Sequence, residues 1–328
     1  MTRRGLGSSG VAVDALGFGA VPLGNLYRAM PEAEAAATVA AAIAGGMRYF
    51  DTAPLYGLGL SERRLGLYLR DLPRDDYVLS TKVGRRLHAD GGAAAGGIFR
   101  AAPPFREAFD FSRDGILRQV EDSLQRLGVD RLDCLVIHDL GLWHMGDAEV
   151  LEAHFSTLRD SGLRALQELK AAGIVRAIGA GANELTLSDQ LLDLGVLDFI
   201  LLALRYTLLD QTGKDLVRRA GREGVGIVVG APFQSGILAS GGSGGAAYNY
   251  GSAPPEILAR VRRLDAVSRD HGVPLKAGAL QFPLRNEAVA SVLVGMGSPG
   301  EVADNLAMAR VEIPDAFWRS LEEEALIT

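Results

Sequence analysis

The sequence predicts an α/β chain closed into a (β/α)8 TIM barrel with a short N-terminal β-hairpin. Three observations predict it. Eight short β-rich runs alternate with longer helical patterns along the 328 residues, and strand–helix–strand repetition is the signature of a parallel sheet. Eight repeats favour closure over an open, doubly wound sheet. The composition, 48% hydrophobic but only 6% aromatic, suits a core of Leu, Val, Ile and Ala, as parallel strands and their helices build. Length alone would allow two domains, but α/β barrels reach this size as one unit, so residues 1–328 are read as a single barrel domain.

The elements follow in order. The turn Gly5–Gly10, with apolar residues on both sides, reads as the hairpin, and on a barrel it would most simply plug the bottom. Strands are expected at Ala15–Gly19, Tyr49–Thr52, Tyr77–Lys82, Cys134–His138, Ala177–Gly179, Phe199–Leu202, Gly226–Val229 and Ser291–Val294. Helices are expected at Glu32–Ala44, Ser61–Leu69, Ser112–Leu127, Gly162–Ala171, Leu187–Leu194, Gly213–Glu223 and Pro255–His271. In the third of these, Ile116, Val120, Leu124 and Leu127 make a face at 3/4 spacing; Ser112 opens it and Gly128 stops it. Three connections after strands are long: Gly84–Asp110, Asp139–Ser161 and Pro232–Pro254. On a barrel all three gather at the C-terminal face, where barrel enzymes place their sites, and a role as an active-site lid is expected.

Composition excludes several classes. The net charge of −6 is spread among interspersed acids and bases, with no basic stripe for a nucleic acid. The opening MTRRGLGSSG lacks the apolar stretch of a signal peptide. No window approaches 18 unbroken apolar residues, so no membrane span is expected. The single cysteine, Cys134, lies in the apolar run Leu132–Ile137 and reads as a reduced core thiol. A cytoplasmic protein, monomeric or a small homo-oligomer, is the expectation.

The chemistry concentrates at three consecutive strand ends. Residues 46–57 read GMRYFDTAPLYG; Asp51 ends the strand and Tyr56 follows five residues later. The next strands end in STKVG and LVIHD, with Lys82 and His138 at their tips. A lone Lys or Asp at a strand end is more often a salt bridge, and a lone His a structural hydrogen-bonding group. Together they form a usable set. A phenol titrates at about 10, too high for proton transfer near neutrality. A neighbouring ammonium favours the phenolate. The ammonium needs a partner of its own if buried, and Asp51 can serve. A histidine can orient the reacting oxygen. The set suits general acid–base work on a carbonyl/alcohol pair.

With these residues in view, the chain resembles the aldo-keto reductase family. Gly46–Gly57 matches the family signature at nearly every fixed position, and the family's Asp, Tyr, Lys and His fall on Asp51, Tyr56, Lys82 and His138. The resemblance runs from about Arg3 to Leu326, through GILRQVEDSLQRLGVDRLDCLVIHD, LRALQELKAAGIVRAIGAGANE and SVLVGMGSPGEVADN. It implies that Tyr56 exchanges the proton, that Lys82, paired to Asp51, lowers the Tyr56 pKa, and that His138 positions the substrate oxygen. NAD(P) would lie across the barrel mouth and supply the hydride chemistry.

The resemblance carries cofactor residues as well. Asn183 would hold the carboxamide. Ala231, Pro232, Phe233, Gln234, Ser235 and Gly236 match the loop that wraps the pyrophosphate, where backbone N–H groups can cradle phosphate oxygens. Many members stack a tyrosine on the nicotinamide where this chain has Gly230, and carry a Gln where it has Ala203; Tyr206 or Phe233 would substitute. Members preferring NADP hold its 2′-phosphate with a Lys and an Arg; here those positions look like Gly295 and Glu301. A carboxylate opposes a phosphate but accepts from a ribose hydroxyl, so NAD is the preferred cofactor, with NADP possible. Ser298, Asp304 and Asn305 would meet the adenosine end.

Within the family the resemblance is nearest to a bacterial branch of NAD-dependent dehydrogenases. These act on L-fucose or D-threo-aldoses at carbon 1, or on pyridoxal at position 4. VEDSLQRLGVDRLDCLVIHDLG, IGAGANE, RYTLLDQ, APFQSGIL and LQFPL carry it. It implies oxidation of an aldose's anomeric hydroxyl to the lactone, or alternatively of pyridoxal hemiacetal to 4-pyridoxolactone. Trp143, His144, Phe105, Tyr248 and Tyr250 are the candidates for substrate contact. A general aldehyde/ketone reductase and a non-enzymatic cofactor-holding regulatory subunit are further alternatives. A metal-dependent hydrolase using His138, Asp139, His144 and His154 is disfavoured because those residues lack paired ligand spacing. No metal is expected.

Overall fold

The computed structural model describes residues 2–91, 97–241, 247–248 and 251–328. Eight strands close in sequence order, each parallel to the next. They are β1 (Leu16–Gly19), β2 (Tyr49–Asp51), β3 (Val78–Val83), β4 (Leu132–His138), β5 (Val175–Ala182), β6 (Phe199–Ala203), β7 (Gly226–Gly230) and β8 (Val289–Gly295). All eight expected strands are present: five are longer by one to five residues, two are shorter by one, and Val78–Val83 is shifted by one.

The core has two layers. The outer one lies between strands and helices, and the helix Arg113–Leu127 feeds it through Ile116, Val120 and Leu127. Ser112 Oγ accepts the Gly115 N–H at its start, and Gly128 takes φ 68° at its end, as the flanking residues require. The inner layer fills the barrel with Tyr49, Val78, Cys134, Val136, Phe199, Leu201, Val228 and Leu293. Burial pushes the Cys134 thiol well above its ordinary pKa, so it is an inert core group.

The hairpin pairs Arg3–Gly5 with Ala12–Asp14. Leu6, Val11 and Val13 join the inner cluster and are 1% exposed or less. Arg4 donates to the Val289 carbonyl, at the start of β8. The hairpin therefore closes the end of the barrel where the strands begin, and the mouth is at the other end.

The long connections contain structure of their own. Within Gly84–Asp110, Arg85–Ala89 pairs antiparallel with Phe105–Phe109. Asp139–Ser161 holds the helices Leu142–Met145 and Ala148–Thr157. The helix expected to begin at Gly162 instead continues from Ala148–Thr157 through a π-turn at Leu158–Gly162 into Leu163–Ala171. Its glycine marks a close approach and not a helix start: a Cβ there would sit 2.3 Å from the Phe111 carbonyl oxygen. The third connection holds Ile237–Ser240 and a two-residue pairing of Ala247–Tyr248 with Gly251–Ser252. Three helices lie outside the expected set: Leu275–Gln281, Pro299–Met308 and Asp315–Glu323. The first is buried at Leu275, Ala277, Gly278, Ala279 and Leu280, and so lacks the one-sided face that marks a surface helix. Among the described residues no helix is long and apolar enough to cross a membrane.

Candidate active site

Strand alternation aims the polar groups. Side chains of a strand point in and out with period two. Tyr49 faces the barrel interior, so Asp51 does too; Val78 leads to Ser80 and Lys82, and Cys134 and Val136 lead to His138. Three inward polar groups thus crown three adjacent strands. On the other strands the corresponding mouth positions are Gly19, Gly181, Ala203, Gly230 and Gly295. One half of the mouth carries chemistry and the other half is open floor.

The polar half is tightly built. Lys82 Nζ donates to Asp51 Oδ2 at 2.6 Å and to the Thr52 carbonyl at 2.8 Å, and Ser80 Oγ donates to Asp51 Oδ1 at 2.8 Å. The ammonium also lies 4.8 Å from the centre of the Tyr56 ring. The His138 ring stands edge-on to Tyr56, centroids 5.8 Å apart. The four side chains named from the sequence therefore meet in one pocket. Burial drives the His138 imidazole from 6.5 down to about 3, so it is neutral near pH 7.

Sequence reasoning missed several neighbours. Ser80 was legible, since it is the inward residue between Val78 and Lys82. Phe99 was not: its ring lies 6.5 Å from Tyr56 and is brought there by the bridge Leu26↔Phe99. The Tyr27 N–H donates to the Ile98 carbonyl and the Arg100 N–H to the Asn25 carbonyl, so residues 98–100 dock on the loop after β1. That loop is held from below by Arg64. Its buried guanidinium donates to the Leu23 and Met30 carbonyls, to Asn25 Oδ1 and to Glu32. Asp139, beside His138, accepts from Arg85 at 3.0 Å and lies 3.3 Å from the Nε2 of both His138 and His144.

The substrate candidates are scattered around the mouth. Trp143 is 47% exposed and stacked on His144 at 5.9 Å. Tyr248 packs on the outer core layer, and Tyr250 lies outside the described residues. Phe105 faces Arg63 beside Leu58, Leu87 and Arg126. Of the disfavoured metal set, His154 packs against the stacked pair Phe109 and Phe111. No cluster suited to a metal ion occurs among the described residues.

The open half fits an extended dinucleotide. Asn183 follows β5, and its carbonyl accepts from Arg205. After β7, Ala231, Gln234, Ser235 and Gly236 all take positive φ, in a tight turn where the Gln234 N–H donates to the Ala231 carbonyl and the Gly236 N–H to the Phe233 carbonyl. The Gln234 side chain is wholly buried and donates to the Leu204 carbonyl and to Thr207, which anchors the loop on the chain after β6. Lys276 lies over the Phe233 ring at 5.1 Å and pairs with Asp304. Asn305 Oδ1 is buried with no donor among the described residues, as expected of an acceptor awaiting a ligand amine. Ser298 caps Pro299–Met308, and Glu301 accepts from the Gly297 N–H at 2.8 Å. Tyr206 corrects an expectation. It packs on Phe282 at 5.6 Å and faces Asn286, ahead of β8 and away from the mouth, because the chain turns outward at Leu204, φ 68°.

Comparison with known proteins gives the family. Residues 15–325 match the model of the aldo/keto reductase family. The chain is 42% identical to a pyridoxal 4-dehydrogenase of Microbacterium luteolum, covering 99% of this chain and 98% of that one. It is 39% identical to a D-threo-aldose 1-dehydrogenase of a Pseudomonas species, over 98% and 96% of the two chains. An aldo-keto reductase structure from Bacillus halodurans superposes with a TM-score of 0.77 at 25% identity, over 100% and 97% of the two. Members of this family use NAD(P)(H). The chain belongs to the aldo/keto reductase family and is an oxidoreductase acting on CH–OH groups.

Proposed function

We propose that the protein oxidises the anomeric hydroxyl of an aldose of the L-fucose or D-threo type to the lactone, using NAD. The observation that carries this is the meeting of Tyr56, Lys82, Asp51 and His138 in one pocket facing an open floor. Tyr56 takes the hydroxyl proton. Lys82 stabilises the phenolate, and Asp51 and the Thr52 carbonyl fix Lys82 in place. His138, neutral, donates to the substrate oxygen and orients it. Trp143 and His144 offer the aromatic face and polar groups a sugar needs. Bound nicotinamide supplies the hydride acceptor.

Asn183, the 231–236 loop, Gly295, Ser298, Glu301, Asp304 and Asn305 hold the cofactor. Glu301 sets the preference for NAD, since its carboxylate opposes a 2′-phosphate and Gly295 brings no charge. A second reading, oxidation of the pyridoxal hemiacetal, is supported by the 42% identity to the pyridoxal enzyme. Both substrates present a ring hemiacetal hydroxyl to the same four groups. NADH formation with L-fucose, D-arabinose, L-galactose, L-xylose and pyridoxal separates the two. Turnover of a sugar at least tenfold more efficient than of pyridoxal supports the first; the reverse selects the second; no turnover of any of them defeats both.

A further inference from the structure

One ionic group beside the four has no part in the proton transfer. Asp139 follows His138 directly and takes φ 51°, a left-handed backbone that non-glycine residues seldom adopt. Arg85 holds its carboxylate at 3.0 Å while also pairing with Glu107 at 2.8 Å and stacking on Phe109 at 4.7 Å. His144 lies on the other oxygen at 3.3 Å. Burial works to raise the Asp139 carboxyl, but its electrostatic surroundings, the His138 and His144 rings, the Arg85 guanidinium and the Lys82 ammonium, outweigh it and hold it below its ordinary value. The carboxylate is therefore ionised near neutrality.

The two nitrogens of His138 have different surroundings. Nδ1 is buried with no partner among the described residues. A proton there would be a buried donor with nothing to receive it, and such donors are costly. Nε2 lies 3.3 Å from Asp139 Oδ2. A neutral imidazole carries one proton, and its position is set by what faces each nitrogen. The carboxylate attracts an N–H and repels a lone pair. At this separation the contact is electrostatic rather than a short hydrogen bond, so the N–H remains able to donate elsewhere.

We propose that Asp139 is a positioning residue that fixes His138 in its Nε2–H tautomer, so the donor for the substrate oxygen exists before substrate arrives. Its use in turnover rests on the oxidation proposed above; the tautomer itself does not. Arg85 completes the device by keeping the carboxylate in place.

The test is nitrogen NMR of protein labelled with 15N-histidine, free of ligand at pH 7. His138 is assigned by the signals lost in His138→Asn. The wild type is expected to show a protonated Nε2 and a bare Nδ1. In Asp139→Asn the amide can donate to Nε2, and the proton is expected to move to Nδ1. Turnover should then fall about 100-fold, the usual cost of one lost donor at a reacting oxygen, with NAD affinity unchanged. A merely structural role for Asp139 would not move the ring proton. An Nδ1–H or charged His138 in the wild type overturns the proposal, and that measurement stands even should Asp139→Asn fail to fold. An unmoved proton in a folded Asp139→Asn overturns it equally. Absence of all turnover in a wild type that shows the Nε2–H tautomer defeats the oxidation reading and leaves this one standing.

Discussion

Lys82 Nζ sits 2.6 Å from Asp51 Oδ2, and neither side chain is more than 5% exposed. A pair so enclosed is held by its mutual charge and by the further bonds from Ser80 and to Thr52. Removing one partner strands the other. Asp51→Asn and Lys82→Met are each expected to cost about 3–5 kcal/mol of folding stability, read from urea unfolding, together with most of the turnover. A loss below about 1 kcal/mol in both would mean the pair is effectively solvated.

Tyr56→Phe keeps the ring beside Lys82 and His138 and removes only the hydroxyl. Turnover should drop by about 100-fold to 10,000-fold, while NAD binding, read by fluorescence titration, should stay near the wild-type value. Retained turnover would relocate the proton transfer to another group.

His138 makes the fold sensitive to acid. Its folded pKa is about 3 against an ordinary 6.5, so between these values the unfolded chain binds the extra proton. Stability tied to this group is complete above about pH 6.5 and is lost as the pH falls toward about 3. From pH 7 to pH 5 the loss is about 2 kcal/mol, seen as a falling urea midpoint. His138→Asn should flatten that slope. Asp139, held below 3.8, acts in the same direction but only in more acidic solution.

Glu301 is expected to decide between the two dinucleotides. Calorimetric titration should give tighter binding of NAD than of NADP, and Glu301→Arg should reverse the order. Tighter NADP binding by the wild type would remove Glu301 from the cofactor site.

Gly7→Ala tests the plug. Gly7 takes φ 55°, and a Cβ there would sit 2.3 Å from the Asp198 carbonyl oxygen. Both the backbone and the space reject a side chain, so a loss of about 2 kcal/mol or more is expected, with KM values unchanged. A variant as stable as the wild type would show the hairpin free to shift.

Much of this was legible beforehand, for identifiable reasons. The strands announced themselves because parallel strands buried on both faces read as short apolar runs. Asp51, Lys82 and His138 stood out because each ends such a run with a polar group. Tyr56 was placed by its motif. Phe99 and Arg64 were invisible, since their roles arise from docking between segments far apart in sequence. Asp139 was in plain view beside His138, but its importance depends on Arg85 reaching it across 54 residues. The helix Leu275–Gln281 escaped because uniform burial erases periodicity. Tyr206 misled because an aromatic residue after β6 can face either way, and the outward turn at Leu204 decided it.

Arg64 spends its hydrogen bonds on the loop after β1. That wall of the pocket has therefore surrendered its conformational freedom during folding. A substrate arriving against it has no disordered segment to freeze, so that share of the entropic cost of association is absent from the binding step. Loosening Arg64 would transfer the cost back to the encounter, weakening affinity at a site the substrate never touches.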